Sequence, residues 1–185
     1  MRFFIAASAI STFTAQFAFG AQTEFLFELT PDQEIMPVAS NAFGFGYLLY
    51  DSNLETFSID LTVEGISTDR LFGVGPNNSP VHIHFAPAGS NGPIVIDLGH
   101  IESFIDVGAN TISYIADDIA IGGVFGGISS DPAANEQALF AGNLYVNVHT
   151  NEFNGGEVRG QIVPAPATLG MIGLGALGCA TRRRR

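Results

Sequence analysis

Four histidines occur in 185 residues, and two of them, His82 and His84, are separated by one residue inside the run Val81-His82-Ile83-His84-Phe85. Alternate residues of a β-strand project to the same side, so this spacing sets two imidazoles on one face, a geometry that suits zinc, copper, nickel or iron. A third imidazole is available from His149 if its strand lies beside residues 81–85. Glu157 is then the candidate fourth ligand, or an outer partner that orients a ligand. The competing reading needs no metal: His149, Asn147, Glu157, Arg159 and Gln161 can satisfy one another in a structural polar network, with the Arg159 guanidinium bridging Glu157 and the Asn147 amide oxygen. A divalent metal is therefore the candidate cofactor, and the residue types alone do not assign it. His100, which follows Asp97-Leu98-Gly99, reads as a surface histidine.

Other chemistries find no footing. The sole cysteine, Cys179, lies in an apolar tail, and no serine sits in a Gly-x-Ser-x-Gly elbow. Gly122-Gly-Val-Phe-Gly-Gly lacks the lysine of a phosphate loop, and the carboxylates are too scattered for a catalytic pair to be read from spacing. The expectation is a non-enzymatic protein.

The candidate residues need strands to position them, and the most regular stretch of the chain provides two. Leu144, Val146 and Val148 alternate with Tyr145, Asn147 and His149; Val158 and Ile162 alternate with Glu157, Arg159 and Gln161. This period-2 pattern predicts a β-hairpin of residues 144–149 and 157–162 around a loop at 150–156. The register then sets His149 opposite Glu157, Asn147 opposite Arg159 and Tyr145 opposite Gln161. Further strands are expected at 24–29, 44–50, 56–63, 81–85, 94–98 and 111–115, separated by turn residues such as Asp51-Ser-Asn53 and Gly108-Ala-Asn110. Pro132 to Ala141 reads as one short helix, and Ile119 to Ser130 as a loop over the edge of the fold. Many short strands with spaced turns predict an all-β chain: a single antiparallel β-sandwich, immunoglobulin-like or superoxide-dismutase-like Greek key, with the hairpin at its centre.

Several segments together carry a family resemblance. His82-Ile-His84, Gly89-Ser-Asn-Gly-Pro-Ile-Val-Ile, Leu144-Tyr-Val-Asn-Val-His-Thr and Gly156-Glu-Val-Arg-Gly-Gln-Ile resemble the CHRD domain. Phe25-Leu-Phe-Glu-Leu-Thr-Pro-Asp-Gln-Glu and Pro37-Val-Ala-Ser-Asn-Ala-Phe-Gly are similar to that family's opening strand and turn. The resemblance spans residues 24–163 and implies a secreted module, without an activity to carry over. A copper/zinc superoxide dismutase also places His-x-His on a β-sandwich, but no counterpart of its further metal motifs or its disulfide is visible here, which argues against dismutation.

Charge and the two ends of the chain bear on where such a module works. All 18 acidic residues lie between Glu24 and Glu157, and lysine is absent. Over residues 21–163 two arginines, Arg70 and Arg159, stand against those carboxylates, a formal charge of −16. That surface repels phosphate backbones, so nucleic acid is excluded as a partner. Residues 1–20 have the positive start, short apolar run and small residues at −3 and −1 of a secretory signal peptide cleaved after Gly20.

After residue 163 come Pro164, Ala165 and Pro166, an apolar stretch through Thr181, and then Arg182, Arg183, Arg184 and Arg185. The stretch of about 15 residues is short beside the about 20 that span a bilayer. Residues 164–185 resemble the PEP-CTERM sorting signal of Gram-negative bacteria, with Ala165 where the pattern usually has glutamate. The resemblance implies an exosortase-type processing enzyme as partner, transient passage through the inner membrane on a C-terminal transmembrane helix, and a final place on the cell surface or in extracellular matrix. Extracellular polysaccharide or protein is the expected binding partner there. The alternative is a plain C-terminal anchor, which an apolar run before basic residues also fits.

Overall fold

A computed structural model describes residues 22–73 and 79–166. The expected signal peptide, the apolar stretch of the tail and the four terminal arginines lie outside the described residues. No helix among those described is long and apolar enough to cross a membrane.

Among the described residues the fold has twelve short strands and one α-helix, with three single-turn 3₁₀ segments. The larger sheet begins with a meander of β1 (Gln22–Leu29), β2 (Phe43–Asp51) and β3 (Thr56–Glu64). Strict alternation explains it: Phe25, Phe27 and Leu29, then Leu48 and Tyr50, then Phe57, Ile59, Leu61 and Val63, all turn inward. The chain next builds β4 (Val81–Phe85) and β5 (Ile94–Asp97) of a second sheet. It returns to the first as β6 (Ile105–Gly108) and β7 (Thr111–Ala120). After a small hairpin, β8 (Gly123–Phe125) and β9 (Ile128–Ser130), and helix α1 (Pro132–Phe140), it supplies β10 (Leu144–Val148) and β11 (Val158–Gln161), then β12 (Val163–Pro164).

The strand orders are β12-β1-β2-β3-β7-β6 in one sheet and β11-β10-β4-β5 in the other, all pairs antiparallel. Both sheets feed one core, in which Phe25, Leu48, Leu61 and Tyr114 of the larger meet Ile83, Ile96, Val146 and Val158 of the smaller. The all-β, antiparallel expectation holds. The immunoglobulin order does not, because there the third strand joins the opposite sheet, whereas here β1 to β3 stay together.

Three expectations need correction. The stretch 119–130 is not a loop. A register shift opposite Phe57 and Ile59, with Asp118 at φ 55°, lets β7 run on to Ala120. Gly126 and Gly127, both at positive φ, then make the tight turn between β8 and β9, a backbone shape that glycine adopts without strain. Second, β6 was not expected, because none of its residues is buried and alternation has nothing to show there. Third, the final hairpin is not central as a unit. Its first strand, β10, lies inside the smaller sheet, but β11 is that sheet's edge. This edge is covered by an isolated bridge in which the Thr30 and Arg159 backbones exchange hydrogen bonds of 3.0 and 3.1 Å.

Helix α1 follows its sequence signals. The Asp131 carboxylate accepts hydrogen bonds from the Ala133 and Ala134 amides, Pro132 opens the first turn, and Gly142 at φ 67° follows the last.

Candidate functional site

The smaller sheet is buried on both faces, which alternation alone does not reveal. Val146 and Val148 enter the main core, while the opposite face carries Tyr145, Asn147, His149 and Arg159, each at most 9 % exposed. Loops around Glu34, Asn91 and Asn154 cover that face. Strands β4 and β10 are neighbours, with His82 opposite Asn147 and His84 opposite Tyr145. His149 follows β10 and comes to the same place. The ring centroids lie 5.1 Å apart for His82 and His149, 5.7 Å for His82 and His84, and 6.2 Å for His84 and His149.

Each imidazole turns one nitrogen outward to an oxygen. His84 Nδ1 lies 3.0 Å from the Gly92 carbonyl and His149 Nδ1 lies 3.0 Å from the Asn154 carbonyl. A carbonyl only accepts, so these contacts put the proton on Nδ1 and leave a lone pair on Nε2. His82 Nε2 faces Asp97 Oδ1 at 3.9 Å, and the other Asp97 oxygen lies 2.6 Å from His100 Nδ1. The remaining nitrogens, Nδ1 of His82 and Nε2 of His84 and His149, are buried without a hydrogen-bond partner. One ring nitrogen from each of the three histidines lies within 4.8 Å of the others. Burial pushes His82 and His84 down to about 4, and His149 downward as well; neighbouring imidazoles deepen the drop for His82 and His84. His82 and His84 are thus neutral at neutral pH, and His149 is shifted in the same direction.

Glu157 does not join them. It is buried, but its carboxylate accepts from Ser40 Oγ at 2.7 Å and Thr150 Oγ1 at 2.6 Å, and pairs with Arg70 at 3.3 Å. Two hydroxyls and a guanidinium offer it more than three neutral imidazoles could. Nor does Arg159 pair with Glu157. Its guanidinium donates to Asn91 Oδ1 at 3.3 Å, the Pro87 carbonyl at 3.3 Å and Gln161 Oε1 at 3.2 Å. Its carbon lies 3.5 Å from the Tyr145 ring centroid, and Tyr145 in turn stacks on His84 at 4.8 Å. The expected register holds for Asn147 opposite Arg159 and Tyr145 opposite Gln161, yet the polar network runs sideways into loops.

Two family models match this chain: the CHRD domain over residues 25–162, and the PEP-CTERM protein-sorting motif over residues 163–185. The chain belongs to the CHRD domain family. The CHRD match opens and closes on fully buried core residues, Phe25 and Ile162, and the sorting motif begins with β12. No curated protein and no solved structure matches the chain. The motif is one of exported proteins and is associated with exosortase processing.

Two residues of this CHRD domain were not singled out from sequence. Asp97 stands opposite His82 in the β4–β5 pair, a relation that exists only once those strands are known to be neighbours. Glu34 lies beside the Asn147 amide and in the field of Arg159. Burial raises its carboxyl to about 7 even so, and both Glu34 Oε1 and Asn147 Oδ1 lack a hydrogen-bond partner. The third member of this contact is Gly156 at φ 127°, where a Cβ would strike both side chains. The signal for that position was present in Asn154-Gly155-Gly156, but as a loop signal only. His100, expected at the surface, is partly exposed, with its Nδ1 against Asp97.

Proposed function

We propose that this CHRD domain is an exported, non-enzymatic module, delivered by its sorting tail to the cell surface or to extracellular matrix, where it binds polysaccharide or protein. One observation supports this beyond the family matches. Strand β12 pairs with β1, setting Pro164 opposite Phe25, and the Ala165 amide donates to the Glu24 carbonyl at 2.8 Å. The two ends of the folded domain therefore leave side by side from one edge. A body connected in this way can stand on the membrane at one pole while it folds and waits for processing.

The formal charge of −16 over residues 21–163 favours a hydrated, acidic exterior over contact with anionic membrane surfaces. Surface proteolysis of intact cells tests the reading. Cells with the exosortase-type enzyme should lose the CHRD domain to added protease or shed it into the medium, and cells lacking the enzyme should retain it, protected, in the inner-membrane fraction. Equal protection in both strains would refute surface display.

A further inference from the structure

We propose that His82, His84 and His149 bind one first-row divalent transition-metal ion, of the Zn2+ or Cu2+ class, through Nδ1 of His82 and Nε2 of the other two. The argument starts from the three unpartnered nitrogens. A buried polar atom without a partner is unusual, and three converging on one point call for a common explanation. The carbonyls of Gly92 and Asn154 hold protons on the far nitrogens of His84 and His149. The Asp97 carboxylate favours the N–H of His82 on Nε2, the nitrogen that faces it.

The three inward nitrogens are then all acceptors. A water molecule at their centre has only two hydrogens to donate and leaves one lone pair unsatisfied. A cation satisfies all three at once.

Geometry agrees with modest closure. Three nitrogens held about 2.0 to 2.1 Å from one ion stand about 3.3 to 3.6 Å from one another, whereas here one ring nitrogen from each histidine lies within 4.8 Å of the others. A shift of up to about 0.7 Å per ring, by rotation about the side-chain bonds, brings each nitrogen to bonding distance. Asp97, the Gly92 carbonyl and the Asn154 carbonyl occupy the places of the oxygen acceptors that usually orient metal-bound imidazoles.

The donor set also selects. Three neutral nitrogens, with no carboxylate oxygen among them, suit zinc and copper and suit calcium and magnesium poorly. A cleft of about 370 Å³ lined in part by Glu34, Asn91, Asn154 and Gly156 gives the covering loops an open side.

The test uses the exported protein made from its full-length chain, stripped with chelator and titrated with Co2+, Zn2+ and Cu2+. One equivalent of each should bind. Co2+ should give visible d–d bands without a thiolate charge-transfer band, Zn2+ should displace Co2+ because it loses no ligand-field stabilisation at a tetrahedral site, and Cu2+ should displace Zn2+, as the Irving–Williams order requires. Ca2+ and Mg2+ should displace none. His82→Gln and His149→Gln should each weaken Zn2+ binding at least about 100-fold, and Asp97→Asn about 10-fold.

Less than half an equivalent bound by the wild type would overturn the proposal, as would unchanged affinity in a folded His82→Gln/His149→Gln variant. A thiolate band, possible only in a species that still carries Cys179, would place the ion there and overturn it equally. Should the variants fail to fold, Cu2+ electron paramagnetic resonance of the wild type decides: hyperfine structure from imidazole nitrogen supports the site, and its absence refutes it. Metal content is read on the folded domain and surface proteolysis on the tail, so either result stands without the other.

Discussion

Arg159 is the largest side chain in the fully buried set and one of only two cationic side chains between residues 21 and 163. No carboxylate among the described residues makes a direct ion pair with it; three neutral oxygens and the Tyr145 ring hold the charge. Truncation in Arg159→Ala removes all of these at once. Hydrogen bonds to charged groups are worth about 1.5 to 3 kcal/mol each, and a desolvated cation–π contact up to about 2. The simple sum overshoots, because water can enter the vacated space and reach the Pro87 and Asn91 oxygens. What remains is a cost of about 3 to 5 kcal/mol, less than the sum of three charge-assisted hydrogen bonds and the ring contact. Arg159→Lys should recover less than half of it, since an ammonium cannot reach three divergent acceptors or lie flat on the tyrosine. Urea unfolding followed by circular dichroism measures this as a lower midpoint at constant slope. A loss under about 1 kcal/mol for Arg159→Ala, or full recovery by lysine, would refute the reasoning.

Two further perturbations probe the surroundings of this network. The Glu157 carboxylate is 1 % exposed and held by Ser40, Thr150 and Arg70, so Glu157→Ala should cost about 3 kcal/mol in the same assay, and a loss below about 1 would contradict it. Arg70→Ala should cost less, its side chain being 35 % exposed. The Glu34 carboxyl is raised from 4.5 to about 7, so the folded state holds its proton more tightly than the unfolded chain. Its stabilising contribution is complete below about pH 4.5 and is lost as pH rises through 7. Glu34→Gln should therefore gain in melting temperature relative to wild type between pH 5 and pH 8; a constant difference would show that Glu34 is not the titrating group.

Alternation made the inner faces of β1 to β4 and β7 legible, together with the register of the final hairpin, because apolar side chains with period 2 must turn to one core. Asp131, Pro132 and Gly142 made the helix legible by capping chemistry. The closeness of His82, His84 and His149 was readable only as a condition, since β4 and β10 are distant in sequence and their adjacency is a fact of sheet order. What alternation could not convey is the second burial of the smaller sheet. Tyr145, Asn147 and Arg159 look like a solvated face until the loops around Glu34, Asn91 and Asn154 close over them. The same closure explains the wrong partners for Arg159 and Glu157: the expected pairing lay along the hairpin, and loop oxygens and the Ser40 and Thr150 hydroxyls compete more effectively than a cross-strand neighbour. The turn at Gly126-Gly127 was visible as glycine, yet it read as part of a loop because the short strands that flank it carry no alternating apolar pattern.

The intact mass of the protein isolated from its native cells tests export and processing together. The account predicts a species that begins at Ala21 and ends near Pro166, just beyond the β12 contact with β1. A species that still carries Arg185 in the membrane fraction, with none shortened near Pro166, would contradict it.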